Sequence, residues 1–300
     1  MADGDAVTLR AVSKHYGPVQ ALGGIDLHVP AGSTVALLGP NGAGKSTAIE
    51  VLLGLLGAGQ GTASLFGSPP GKAVAAGRVG AMLQDGELMA GVRVGALLDV
   101  IRSVYPHPAD RPGLIEAAGI GGLLRRRTDQ LSVGQSQRVR FALAASGNPE
   151  LLVLDEPTVA MDVEAREAFW TAVRGYAASG RTIVFSTHYL EEADAHADKI
   201  VVLRAGRIAA DGTPEQVKAA AGIERHVRFR SLNGSPDRFR RLAGVTAVQV
   251  DADRVTLQTA DADATVWALY DLRHTIADLE IAGSGLQEAF LALTSPPDPT

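Results

Sequence analysis

Gly39-Pro40-Asn41-Gly42-Ala43-Gly44-Lys45-Ser46-Thr47 has the residue types and spacing to hold a chain of phosphates. Glycines let successive backbone N–H groups curl around an anion with no Cβ in the way. Lys45 supplies a full positive charge for the outer phosphates, and the Ser46 hydroxyl suits a hard divalent cation. Two adjacent carboxylates, Asp155 and Glu156, close the apolar run Leu151–Leu154. Side chains alternate along a strand, so the pair points two ways and divides its work. Asp155 is placed to hold the water shell of a metal, and Glu156 to orient and deprotonate an attacking water. His188 closes another apolar run, Thr182–Ser186, and is read as a contact to a terminal phosphate rather than a structural histidine. Together these residues imply binding and hydrolysis of a nucleoside triphosphate.

Each group needs a particular element beneath it. The run Val35–Leu38 reads as a buried strand entering the phosphate loop, and Ala48–Leu53 as the helix leaving it. That helix's N-terminus adds unpaired donors and the positive end of its dipole. Leu151–Leu154 and Thr182–Ser186 read as further central strands, whose C-terminal ends are where open α/β sheets bind ligands. Arg78–Leu83 reads as a strand ending at Gln84. Val7–Val12 and Ile25–Val29 alternate as half-buried antiparallel strands. Tyr16 lies between them, either packing or offering its ring to a base.

From about residue 86 to 148 the strand signals vanish and helical spacing takes over, so this stretch is expected to be a helical insertion. Arg125-Arg126-Arg127 within it is a solvated face or a contact surface. The insertion ends at Leu131-Ser132-Val133-Gly134-Gln135-Ser136-Gln137-Arg138. Ser132 and Gln135 have capping-box spacing for a helix over residues 139–146, with Val133 as the first helical residue. Read locally, this is a well-capped helix, or a helix end whose bare glycine, Gly134, receives a second phosphate group.

Composition narrows the class. The chain has 300 residues, 46% hydrophobic and 20% charged, enough for one large domain and a small one. A net charge of −5 gives no electrostatic footprint for sequence-independent nucleic-acid binding, and no nucleic-acid partner is expected. With no cysteine, disulfides and thiol chemistry are excluded. No apolar run approaches the roughly 18 residues of a membrane span, and the start MADGDAVTLR lacks the apolar stretch of a signal peptide. After Gly222 the pattern changes to β-α-β-β-α-β over residues 223–294, which fits a small ferredoxin-like domain, and SPPDPT at 295–300 reads as a disordered tail.

Taken in order, these motifs resemble those of the ATP-binding subunit of an ABC transporter, over residues 7 to about 218. GPNGAGKST looks like its Walker A loop, LSVGQSQR its signature, LLVLDEP its Walker B segment, Thr158–Asp162 its D-loop and STH its H-loop. The resemblance implies an α/β P-loop ATPase with a mixed sheet, an antiparallel β subdomain and a helical insertion. It assigns nucleotide binding to Tyr16, Asn41, Gly42, Ala43, Gly44, Lys45, Ser46 and Thr47. Magnesium falls to Ser46, Gln84 and Asp155, and hydrolysis to Glu156, His188 and Gln84. It also implies a homodimer closing head to tail, each ATP meeting Ser132, Gly134, Gln135 and Asp162 of the other subunit. The implied partner is a separate transmembrane permease, expected to dock on the helical insertion, where Glu87-Leu88-Met89 just after Gln84 offers apolar contacts; this would put the chain on the cytoplasmic face of the membrane. The segments HYLEEAD, LRAGRIAADGTPEQV and LQEAFLALT are similar to exporter ATPases for drugs, antibiotics or lipids. A soluble ABC ATPase and a non-hydrolysing regulatory module are the alternatives; Glu156 and His188 speak against the latter. One position departs: the family has glycine where this chain has Val133.

Overall fold

The computed structural model describes residues 4–221, 225–231, 236–272, 275–282 and 285–294. The expected tail at 295–300 lies outside them. The chain divides into two compact units, residues 1–214 and 215–300, where the composition pattern places the change at 222.

The first unit begins with long alternating strands, β1 (Asp5–Tyr16) and β2 (Val19–Pro30), which pair antiparallel. β3 (Thr34–Leu38) is buried at every residue and runs through the phosphate loop into α1 (Lys45–Leu52). β4 (Gln60–Leu65) joins β1 to complete a three-stranded antiparallel sheet, β2-β1-β4. Pro70 opens a helix, α2 (Pro70–Ala75), with Pro69 as its N-cap. Proline fits the first helical turn, where its missing N–H costs nothing.

β5 (Val79–Met82) leads into the all-helical stretch α3 (Val94–Ser103), α4 (Arg111–Ala117) and α5 (Val133–Ala144). β6 (Leu151–Asp155), α6 (Val163–Ala177), β7 (Thr182–Ser186) and α7 (Leu190–His196) follow, then the hairpin β8 (Lys199–Arg204) and β9 (Arg207–Gly212). The central sheet has the order β5-β6-β7-β3-β8-β9, parallel except for β9. β6 and β7 are buried at all five residues each, as parallel strands covered on both faces must be. Aliphatic side chains from both sheets and α1 form one continuous core. The order matters for chemistry, because β5, β6, β7 and β3 are neighbours and deliver their C-terminal ends to one edge.

The second unit contains α8 (Pro214–Ala220), β10 (Arg225–Ser231), α9 (Pro236–Phe239), β11 (Val245–Asp251), β12 (Arg254–Thr259), α10 (Ala262–Tyr270), β13 (Ile276–Ala282) and α11 (Leu286–Thr294). Its antiparallel sheet has the order β11-β12-β10-β13, the ferredoxin-like arrangement of a β-α-β-β-α-β chain. A core of its own, including Val227, Phe229, Phe239, Leu257 and Leu269, holds it together. Among the described residues no helix is long and apolar enough to cross a membrane.

Candidate functional site: a phosphate loop facing a glutamate–histidine pair

The loop between β3 and α1 is held by close backbone approach. Gly44 has φ 104°, and a Cβ there would lie 2.5 Å from the Ala21 carbonyl oxygen. Gly39, at φ 159°, would put its Cβ 2.5 Å from the Leu203 carbonyl oxygen. No other residue type fits either position. Lys45 is buried, and its ammonium donates to the carbonyls of Gly39 at 2.7 Å and Pro40 at 3.3 Å. Burial pushes its pKa down, against the pull of Glu156 and Asp155. A desolvated cation in a glycine-rich turn at a helix start is a site for an anion, and phosphate fits it.

Asp155 ends β6 and is buried. Burial pushes its pKa up; the hydroxyl of Ser186, which donates to Asp155 Oδ1, pulls the other way, and Glu156 raises it again. The same hydroxyl accepts the backbone N–H of Glu156 at 2.9 Å. Glu156 stands at φ 48°, a left-handed conformation costing a non-glycine residue about 1–2 kcal/mol, and Ala160 follows at φ 61°. Such strain persists only where neighbours hold it. His188, two residues beyond the end of β7, places Nδ1 2.7 Å from Glu156 Oε2. The Glu156 side chain is largely buried while His188 is half-exposed, so the pair faces open space from one side.

That space is a cavity of about 730 Å³ lined by Tyr16, Asn41–Thr47, Gln84, Glu156 and His188, together with Val19, Gln20, Ala21 and Val159. Thus the phosphate loop, the strand-end Gln84, the glutamate–histidine pair and the half-exposed Tyr16 ring share one cavity. Asp155 does not line it but stands beside Glu156 and pairs with Ser186. Among the described residues no cluster of three or more His, Cys, Asp or Glu has metal-binding geometry. A magnesium ion held by one carboxylate, a hydroxyl and phosphate oxygens requires no such cluster.

Ser132, Gly134, Gln135 and Asp162 do not line this cavity. Ser132 caps α5, accepting the Gln135 N–H at 3.3 Å, and Gln135 Oε1 accepts the Ser132 N–H at 3.2 Å, a reciprocal capping box. Val133 is the first helical residue and half-exposed. Asp162 caps α6, accepting the Ala165 N–H at 2.7 Å. The two helix starts abut: a Cβ on Gly134 would lie 2.7 Å from the Cβ of Ala165. Gly134 therefore has a packing reason that the local pattern did not disclose.

In the sequence Thr158 and Glu192 stand only as members of the D-loop and HYLEEAD segments, with no role of their own, and Arg140 falls in no motif. Glu192 is buried although it follows Glu191 at the start of an acidic helix, where local pattern predicts solvent. Arg140 reaches from α5 to the backbone carbonyls of Leu83 and Gln84. The only sequence signal for either is a charged residue beside apolar ones, Glu192 before Ala193 and Arg140 between Val139 and Phe141.

A strand–phosphate loop–helix unit beside a carboxylate pair and a histidine on neighbouring parallel strands defines a P-loop nucleoside triphosphatase. The family model "ABC transporter" matches residues 22–159. The daunorubicin resistance ATP-binding protein DrrA3 of Streptomyces coeruleorubidus is 33% identical over 98% of this chain and 97% of its own length. The Nod factor export ATP-binding protein I of Paraburkholderia xenovorans is 35% identical over 72% of this chain and 73% of its own. A solved ATP-binding subunit of an ABC transporter, 26% identical, superposes with a TM-score of 0.65 over 72% of this chain and 93% of that one. The chain belongs to the ABC transporter family, as an ATP-binding, ATP-hydrolysing subunit.

Proposed function

We propose that this chain powers an exporter of drugs, antibiotics or lipids through a separate permease, by closing and opening a homodimer around ATP. It would work from the cytoplasmic face of the membrane, held there by the permease. The carrying observation is the Glu156–His188 contact at 2.7 Å, on the wall of the cavity that the phosphate loop lines. Asn41–Thr47 cradle the phosphates and Tyr16 stacks on the base. Glu156 accepts the proton of the water attacking the γ-phosphate, and His188 holds Glu156 and reaches the phosphate being released. Ser46, Gln84 and Asp155 would hold magnesium, which neutralises charge on the β- and γ-phosphates. The capped start of α5, with Ser132, Gly134 and Gln135, and the start of α6, with Asp162, would complete the partner subunit's site across the dimer. Export is supported by the names of the relatives, one in daunorubicin resistance and one in Nod factor export. Met89, strongly exposed next to the helical stretch, supports permease docking close to Gln84. We further propose that residues 1–222, with their helical insertion at 86–148, form the ATPase domain, and residues 223–294 a domain that folds on its own.

Glu156→Gln tests the assignment. It should bind ATP, lose turnover by about 10²- to 10⁴-fold, the usual contribution of a general base, and accumulate as an ATP-dependent dimer. Hydrolysis at the parental rate would remove Glu156 as the base.

A further inference from the structure

Behind the Glu156–His188 pair lies a buried carboxylate that does not line the cavity. Glu192, on α7, is 4% exposed. Its Oε1 accepts the hydroxyl of Thr158 at 2.6 Å, and its Oε2 accepts the hydroxyl of Thr187 at 2.8 Å. Both threonines are buried. Thr158 stands two residues after Glu156, and Thr187 immediately before His188. The contacts therefore close a ring: Glu156, Pro157, Thr158, Glu192, Thr187, His188, and back to Glu156 through the 2.7 Å contact.

The rest of the surroundings fix the same two segments. Thr187 Oγ1 also accepts the Tyr189 N–H at 3.0 Å, which turns the chain just after His188. The Tyr189 ring lies 4.1 Å from the His188 ring and beneath the guanidinium of Arg166 at 4.2 Å. Arg166 Nε is 3.6 Å from Glu192 Oε1, a charge contact beyond hydrogen-bond reach, and that nitrogen is otherwise unpartnered. Arg166 lies one turn into α6, the helix that Asp162 caps. The segment from Glu156 to Ala160 carries two left-handed non-glycine residues, so it needs fixed points, and Thr158 is between them.

We propose that Glu192 is a positioning residue for hydrolysis. One oxygen anchors the segment bearing Glu156 and the other the turn bearing His188, so the two meet at catalytic distance. This rests on the reading of Glu156 and His188 as the hydrolytic pair. A carboxylate suits this place because each of its oxygens accepts one threonine hydroxyl.

Full-length protein is assayed for kcat, KM, nucleotide Kd and melting temperature. Glu192→Ala should lower kcat by about 10- to 100-fold, the range for partners one layer out from a site. Nucleotide Kd should stay within about twofold, because no phosphate-loop residue touches Glu192. Glu192→Gln should recover part of the rate, its carboxamide oxygen still accepting one hydroxyl. In a His188→Ala background the same Glu192→Ala change should cost little more, since the pair it positions is already broken. Thr158→Val and Thr187→Val, nearly isosteric, should each lose part of kcat, and they decide the matter if Glu192→Ala fails to fold. Parental kcat in the folded variants, or losses that multiply independently with His188→Ala, would overturn the inference. Glu156→Gln and His188→Ala are run alongside. If those two keep the parental rate, the hydrolytic assignment falls and the inference with it. If they lose it while the Glu192 and threonine variants do not, only the inference falls.

Discussion

Arg140→Met is the perturbation that most directly tests how the helical stretch is tied to the nucleotide site. Arg140 sits two turns into α5, and its guanidinium donates to Gln137 Oε1 at 2.8 Å, to the Leu83 carbonyl, and at 3.5 Å to the Gln84 carbonyl. Among the described ion pairs it has no carboxylate, and burial pushes its pKa down, though the group stays charged. All its acceptors are neutral groups, two of them on the backbone that carries Gln84 to the cavity. Each hydrogen bond from a charged donor contributes about 1.5–3 kcal/mol, so those to Gln137 and Leu83 total roughly 3–6. Removing a desolvated cation returns about half of that. Methionine keeps the apolar stem in place but leaves the Leu83 carbonyl with only the Gly86 N–H, at 3.2 Å. The balance is a loss of roughly 1–3 kcal/mol, or about 2–10 °C in melting temperature for a domain of this size.

Function should follow stability only in part. Leu83 and Gln84 lose their tether to α5, so the Gln84 side chain is less well placed in the cavity. A double-mutant cycle with Gln84→Ala, read in ATPase kcat, should show coupling, the Arg140 effect shrinking once Gln84 is gone. Arg140→Lys should rescue little, because an ammonium cannot span Gln137 and two carbonyls as a planar fork does. An unchanged melting temperature together with an additive cycle would refute the tether.

Two further outcomes are expected. His196 is held below its ordinary pKa chiefly by burial and then by Arg174, with Glu192, Glu167 and the Ala195 backbone pulling the other way; its ring stacks on Trp170 at 4.4 Å. The folded state thus prefers neutral His196, so stability is lost as pH falls from about 6.5 through the lowered value and is flat below it. His196→Phe, keeping the stack, should flatten melting temperature against pH between about 7.5 and 5, and an unchanged slope would exclude His196 as the source. A chain ending at Gly222 retains the whole core of the first unit and loses only the separate Phe229–Phe239 core. It should stay folded and bind ATP with magnesium, as measured by calorimetry, and unfolding on truncation would remove the proposed boundary.

What was legible in the sequence is what is local. The phosphate loop declares itself because its glycines, Lys45 and Ser46 each meet a requirement set within one turn of backbone. The residues at the ends of β5, β6 and β7 were legible because each closes an apolar run that only a buried strand explains. Their meeting in one cavity depends on the strand order β5-β6-β7-β3, which no local pattern encodes. Glu192 and Arg140 were illegible for the same reason. A charge on a helix reads as solvated until distant groups, two threonines in one case and the Leu83 and Gln84 carbonyls in the other, are folded against it.

Gly134 shows how the two kinds of information combine. From its neighbours it reads as a bare helix end open to a phosphate. In the fold its missing Cβ lets the starts of α5 and α6 touch, with Ala165 only 2.7 Å from where that Cβ would stand. The packing is what the fold shows; the phosphate contact is the proposal, and it would share a helix start whose Ser132 and Gln135 N–H groups are already paired in the capping box. The two helix starts capped by Ser132 and Asp162 thereby pack side by side as one edge. Arg140 ties that edge back to Gln84 along α5, and Arg166 ties it to Glu192 along α6. On the proposed reading, the edge offered to the partner's ATP is fastened, through these two cations, to both the sensing glutamine and the hydrolytic pair of its own site. Closure around one ATP would then reach the other through packed side chains whose removal is measurable.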